Sequence, residues 1–339
     1  MYKNNNNIYE NSKIISNNFY DKNHKHSLIF KLVLFLFLIA LIVYLKKILF
    51  NNNKKQPFYF DQFETNIYNG IKDVLENSNC SNMWNSQRQF LNGVIRKFKP
   101  KKIVELGVSF GGSSIIILNA IKDIKYSHLY SIDVLNNEKV GSCVNKYFPQ
   151  LKEKWTLFKG NIAAKYMEKI GGNIDLAFFD TTHHEPGEIL DFLLILPFLK
   201  EEAVVVFHDI DHQITYSRGP MKRSEWASYI IFNIIRGEKF LPMGEGIFNK
   251  DIGAIKLEKN QKKFIHDYCR ALGGQWHYFP PESHIELIIN FVQKYYDREC
   301  FDTIKEAIDF NRDFVKDNPI IRYRKYINPK KSSENSTKI

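Results

Sequence analysis

Between residues 100 and 210 the chain alternates short apolar runs with stretches of helical spacing. An apolar run opening at Ile103-Val104 and closing at Glu105-Leu106-Gly107 predicts a buried strand, followed by a helix running through 115–118 towards Ile121. Further strands are predicted at 129–134, 155–159, 174–179 and 203–207. The segments between them suit helices at 140–148, 162–170 and 186–199. This alternation predicts an α/β domain built on a doubly wound, mostly parallel sheet. Ahead of it, residues 58–98 have helical spacing, as at Ile67, Ile71, Val74 and Leu75 and again at Phe90, Leu91, Val94 and Ile95, and Pro100 ends the stretch. Behind it, Ile247-Phe248 and 252–257 suit a closing strand pair. Residues 259–315 read as a helical C-terminal extension broken at Gly273-Gly274 and Pro280-Pro281.

A second apolar pattern lies near the N-terminus. Seventeen of the eighteen residues in 28–45 are apolar, with Lys31 the exception, and Lys46-Lys47 follow. The apolar residues run all round the helix rather than along one face, so a transmembrane anchor is expected over 28–47. The expected organisation is then a disordered Asn-rich segment 1–27, the anchor 28–47, a linker 48–57, the α/β domain 58–258, the extension 259–315 and a basic tail 316–339. A single-pass membrane protein is implied. Four lysines on either side of the anchor leave its orientation open.

Of the net charge of +11, residues 1–56 hold +7 and residues 316–339 hold +5, which leaves the body at −1. A basic patch on the folded body, as a nucleic-acid enzyme carries, is therefore not expected. Cys80, Cys143, Cys269 and Cys300 show no metal-site spacing and are too scattered for a disulfide framework, so they read as small, partly buried thiols.

The candidate chemistry sits at the strand ends, where open parallel sheets bind ligands. The first strand leads into Glu105-x-Gly107-x-x-x-Gly111-x-Ser113. Strand, glycine turn and helix bring backbone N–H groups close to a ligand, and the glycines are expected because a Cβ would take the ligand's space. The spacing is not the G-x-G-x-x-G of a dinucleotide site. It resembles the first motif of class I S-adenosylmethionine-dependent methyltransferases, which implies a Rossmann-like fold and S-adenosylmethionine as cofactor. Asp133 ends the second strand 26 residues after Gly107, where the family uses an acid on the ribose hydroxyls. Asn161, after the third strand, could contact adenine or simply make a turn.

Asp180, His183, Asp191, His208 and Asp209 cluster at the fourth and fifth strand ends. Their pattern resembles one branch of that family, which contains sugar O-methyltransferases and cephalosporin-hydroxylase-like proteins. The resemblance covers about residues 101–210. It implies a divalent metal, Mg²⁺ or Mn²⁺, on Asp180 and Asp209 with His208, and places His183 and Asp180 in catalysis, with His183 as base. Methyl transfer to oxygen needs an aligned hydroxyl and a way to lose its proton, which a base or a metal supplies. His208 stands where the metal-dependent members have Glu. It is then a transition-metal ligand, an outer partner, or evidence of a metal-free site.

Trp226, Tyr229, Trp276, Tyr278 and Phe279 are candidates for stacking on an acceptor or for core packing. The expected activity is O-methylation of a sugar or other small-molecule hydroxyl by a membrane-anchored enzyme. Cofactor supply and unpaired cysteines lean towards a cytosolic face. The alternatives are a non-catalytic binding protein on the same fold and an iron-dependent hydroxylase using His208, Asp209 and Asp180.

Overall fold

The computed structural model describes residues 56–57, 62–211, 226–242 and 251–317. The elements are β1 (Gln56–Pro57), α1 (Gln62–Asn77), α2 (Asn85–Phe98), β2 (Lys102–Leu106), α3 (Gly112–Ala120), β3 (His128–Asp133), α4 (Ser142–Tyr147), β4 (Trp155–Lys159), α5 (Met167–Ile170), β5 (Ile174–Phe179), α6 (Gly187–Ile195), β6 (Leu199–His208), α7 (Ala227–Ile234), β7 (Gly237–Leu241), β8 (Ile252–Leu257), α8 (Ile265–Arg270), α9 (Glu282–Tyr295) and α10 (Arg298–Asp317).

They form one sheet in the order β1-β7-β8-β6-β5-β2-β3-β4. β6 to β4 are parallel throughout, and β8 runs antiparallel to both β6 and β7. The chain leaves β2 to build β3 and β4 on one side and returns to build β5 and β6 on the other. β2 and β5 therefore flank the switch point, where a crevice opens beyond the carboxyl ends.

Side chains of the central strands alternate between two cores. Ile103, Leu129, Leu176, Phe178, Val204 and Val206 face one core, with α1, α2 and α3. Val104, Leu106, Ile132, Phe179, Val205 and Phe207 face the other, with α6, α7 and the C-terminal helices. Because both faces are covered, these strands read as apolar runs rather than as alternating patterns. Every residue of α3 is buried, because α1 and α2 lie over it.

The elements predicted from 102 to 208 are present with shifted ends. Ile162–Ile170 splits into a short 3₁₀ turn and α5, and the strand at 203–207 extends back to Leu199. β8 is present, but its antiparallel partner is β7; Ile247-Phe248 lie outside the described residues.

Two expectations are corrected. No helix among the described residues is long and apolar enough to cross a membrane, so the single-pass membrane localisation is not supported. The longest of them, α10, carries ten charged residues in twenty. Residues 28–47, on which that expectation rested, lie outside the described residues. The cysteines are not four separate thiols: Cys80 and Cys143 form a disulfide across 63 residues, and Cys269 and Cys300 are free and buried. The lean towards a cytosolic face from unpaired cysteines falls with it. The bridge joins the loop before α2 to the start of α4, a proximity that only the folded sheet creates.

Candidate active site

The glycine turn is shaped by the chain itself. Gly107 follows β2 at φ +84°, and its N–H donates to Ile132 O at 3.0 Å. A Cβ there would overlap the Asp180 carbonyl oxygen on the neighbouring strand end. Gly111 caps α3 at φ +95°, against Gly141 and Val144. A Cβ on Gly112 would overlap the Cys80 carbonyl and Ser81. The expectation that these glycines clear space for a ligand is corrected: each first clears space for another stretch of backbone or its side chains. That close fit holds the loop 107–112 against the Asp180 strand end and the Cys80–Ser81 backbone.

Asp133, at the end of β3, holds this loop down. Its Oδ2 accepts from Val108 N at 3.0 Å and Ser109 N at 2.9 Å, and its Oδ1 accepts from Leu135 N at 2.8 Å. Glu105 points the other way. Fully buried, it accepts from the hydroxyls of Ser113 and Ser114 at 2.6 Å and Ser131 at 2.5 Å. Burial pushes its carboxyl up to about 7, against the pull of the three hydroxyls. The acid thus pins α3 to β2 and β3 from beneath.

A cavity of about 620 Å³ lies over these strand ends. Gly107, Ser113, Asp133, Asp180, His183, His208 and Asp209 line it; Glu105, Gly111 and Asn161 do not. The Asn161 side chain instead accepts from Ile162 N at 3.0 Å, which is the turn alternative.

The far wall of the cavity holds the two acidic strand ends. Asp180 follows β5, and Asp209 follows β6 at φ +55°. Asp209 Oδ2 lies 3.0 Å from both His183 Nε2 and His208 Nδ1. Asp180 Oδ1 lies 3.4 Å from His208 Nδ1 and 3.9 Å from His183 Nε2. Burial opposes a proton on either ring, but the carboxylates around them outweigh it and raise both well above the usual histidine value. Burial likewise opposes charge on Asp209, yet the two histidines hold it well below the carboxylate range. The cluster is built to carry positive charge between two carboxylates.

One donor atom each from Asp180, His183 and Asp209 falls within 4.8 Å of the other two. The expected set of Asp180, Asp209 and His208 is held equally close, since His208 Nδ1 is buried at 3.0 Å from Asp209 Oδ2 and 3.4 Å from Asp180 Oδ1. The other ring nitrogen of His208, Nε2, lies 3.2 Å from Gln87 Oε1 on α2.

Three contributors were not legible in the sequence. Glu188 Oε1, on α6, accepts from His183 N at 2.8 Å, Thr181 N at 3.2 Å and Thr181 Oγ1 at 3.0 Å, and lies 3.3 Å from His183 Nδ1. Thr181 Oγ1 also meets Asp191 Oδ2 at 2.8 Å, and burial pushes Asp191 up to about 7. Gln87 comes from a helix ahead of the domain's first long strand. Only the acid eight residues after His183 was visible as spacing; Glu188, five after it, carried no signal. Among the candidate aromatics, Tyr278 lines the cavity, whereas Trp276 is buried and stacks on Phe279.

A family model described as a methyltransferase domain matches residues 104–210, which span the loop, Asp133 and both acidic strand ends. No curated protein matches the chain in sequence. Among solved structures, an O-methyltransferase from Bacillus cereus in complex with SAH is 14% identical over 56% of this chain and 90% of its own, with a TM-score of 0.43. The O-methyltransferase TomG from Streptomyces achromogenes, involved in tomaymycin synthesis and solved with SAM, is 15% identical over 62% of this chain and 95% of its own, with a TM-score of 0.41.

Proposed function

We propose that this chain, whose residues 104–210 match a methyltransferase-domain model, is a class I S-adenosylmethionine-dependent methyltransferase that transfers the methyl group to a hydroxyl of a sugar or other small molecule at the Asp180–His183–Asp209 cluster. The observation that carries this reading is the convergence of those three donors on the same cavity as Gly107 and Asp133.

S-adenosylmethionine supplies, when bound, a methyl group on a sulfonium that is displaced in line by the acceptor oxygen. The loop 107–113 and Asp133 fit it: a flat backbone segment at the switch point, an acid held at the end of β3, and the N-terminus of α3 beside them. The chain's own residues must then align the acceptor and remove its proton. Alignment alone can lower a barrier by up to about 7–11 kcal/mol in well-oriented systems.

The donor set also fits a divalent cation. His208 Nδ1 is buried within 3.4 Å of an oxygen of each aspartate, so two carboxylates and an imidazole nitrogen face one another. Asp180, Asp209 and His208 would hold it, with His183 beside Asp209 and Glu188 behind His183; two oxygens and one nitrogen suit Mn²⁺ better than Mg²⁺. A bound cation would make a hydroxyl beside it more acidic. His183 stands at Asp209 to hold or pass a proton, and Glu188 fixes its backbone and ring. In its protonated form the ring cannot act as a base, so a charge-neutralising partner for Asp209 is part of the proposal.

The test is transfer of a labelled methyl group from S-adenosylmethionine to small molecules of a cell extract by the full chain. The wild type should label a product, and Asp209→Asn should lose at least about 100-fold of that rate while still binding cofactor. An Asp209→Asn enzyme that turns over normally would remove the cluster from the chemistry.

A further inference from the structure

Away from the strand ends, α8 and the start of α10 bring together a histidine, an aspartate and two cysteines. His266 and Cys269 lie three residues apart on α8. Asp297 and Cys300 lie three apart where α10 begins. A spacing of three places both members of a pair on one helical face. The two faces meet: Cys300 Sγ lies 3.6 Å from His266 Nδ1, and Asp297 Oδ2 lies 3.5 Å from His266 Nε2. One donor atom from each of His266, Asp297 and Cys300 falls within 4.8 Å of the other two. Cys300 is wholly buried, and Cys269 is a second free, buried thiol on α8.

We propose that His266, Asp297 and Cys300 form a structural site for a zinc-type divalent cation, separate from the catalytic cavity. A tetrahedral ion with Zn–S near 2.3 Å and Zn–N near 2.05 Å holds sulfur and nitrogen about 3.6 Å apart, which is the observed Cys300–His266 separation. One sulfur with one imidazole and one carboxylate selects a borderline-soft ion over Mg²⁺ or Ca²⁺. A plain surface ion pair would account for His266 with Asp297, but not for the buried Cys300 thiol set against the histidine. Asp297 is already braced, since its Oδ1 accepts from Cys300 N at 2.9 Å and Oδ2 is left towards the histidine. Glu299 Oε1, 3.3 Å from His266 Nδ1 and paired with Arg270, adds negative charge at the rim.

The ion would fasten α8 to α10. On α10, Asn311 Oδ1 accepts from Trp276 N at 2.7 Å, and its amide donates to Gly274 O at 3.1 Å. The same loop continues to Tyr278 in the cavity wall. The site therefore steadies the acceptor side of the cavity without touching the reacting atoms.

The test uses the full chain, stripped of metal and titrated with Co²⁺. The catalytic cluster offers no sulfur, so a thiolate-to-cobalt absorption band reports this site alone. One band-bearing cobalt per chain is expected, displaced by Zn²⁺, lost in Cys300→Ser and bound at least about 10-fold more weakly in His266→Gln. Asp209→Asn should leave the band intact. Cys300→Ser alters a buried position, so the partly exposed His266→Gln is the deciding variant. No sulfur band in the wild type, or unchanged affinity in His266→Gln, would overturn the proposal; so would a native Cys269–Cys300 disulfide found by mass spectrometry.

Discussion

Replacing Glu105 with Gln tests whether the loop is anchored by a buried neutral acid. Burial raises this carboxyl from an ordinary 4.5 to about 7. The folded chain therefore holds the proton more tightly than the unfolded chain between those values. For an acid with a raised folded value, stability is greatest below about 4.5 and falls as pH climbs to about 7, after which it levels. A shift of about 2.5 units at 1.36 kcal/mol each makes the loss about 3 kcal/mol. Glutamine keeps the shape and can still bond the three serine hydroxyls, but it has no proton to lose. Asp191 contributes a slope of the same sign in both proteins and cancels in the difference. Urea unfolding of the full chain at intervals from pH 4 to pH 8 should show Glu105→Gln gaining on the wild type by about 3 kcal/mol across that range. A difference that stays flat within about 1 kcal/mol would mean that Glu105 is already charged in the folded state, and that a neutral acid does not anchor the loop.

Gly107→Ala should cost on the order of 3 kcal/mol, from the collision with the Asp180 carbonyl and the positive φ, and should abolish S-adenosylhomocysteine binding by calorimetry. Replacing Cys80 and Cys143 together with Ser should lower stability by up to about 4 kcal/mol in denaturant unfolding, since the bridge closes a loop of 63 residues. Glu188→Gln should cut kcat at least about 10-fold with the KM for S-adenosylmethionine unchanged, because Glu188 positions His183 rather than the cofactor loop. Equal changes in both constants would instead make Glu188 part of cofactor binding.

The sheet was readable from the sequence because its strands are buried on both faces and its turns carry glycine. Asp133, Asp180 and Asp209 were readable because strand ends fix where a side chain can go. Glu105 was legible as a residue but not as a role, since it lies beneath the loop and outside the cavity. An acid beneath a loop and an acid facing a ligand share the same spacing, and only burial separates them. The Cys80–Cys143 bridge and the Gln87–His208 contact were not legible, since each joins segments far apart in the chain through the packing of α2, α3 and α4. Asp209 and His183 both adopt positive φ, a backbone turn that the spacing did not announce, and both imidazoles face the aspartates.

The most direct measurement is a crystal structure of the full chain with S-adenosylhomocysteine. The nucleoside is expected across the carboxyl ends of β2 and β3, its ribose beside Asp133 and its sulfur facing Asp180 and His183. A cofactor bound elsewhere, or one whose sulfur faces away from the two aspartates, would contradict the assignment of this cavity.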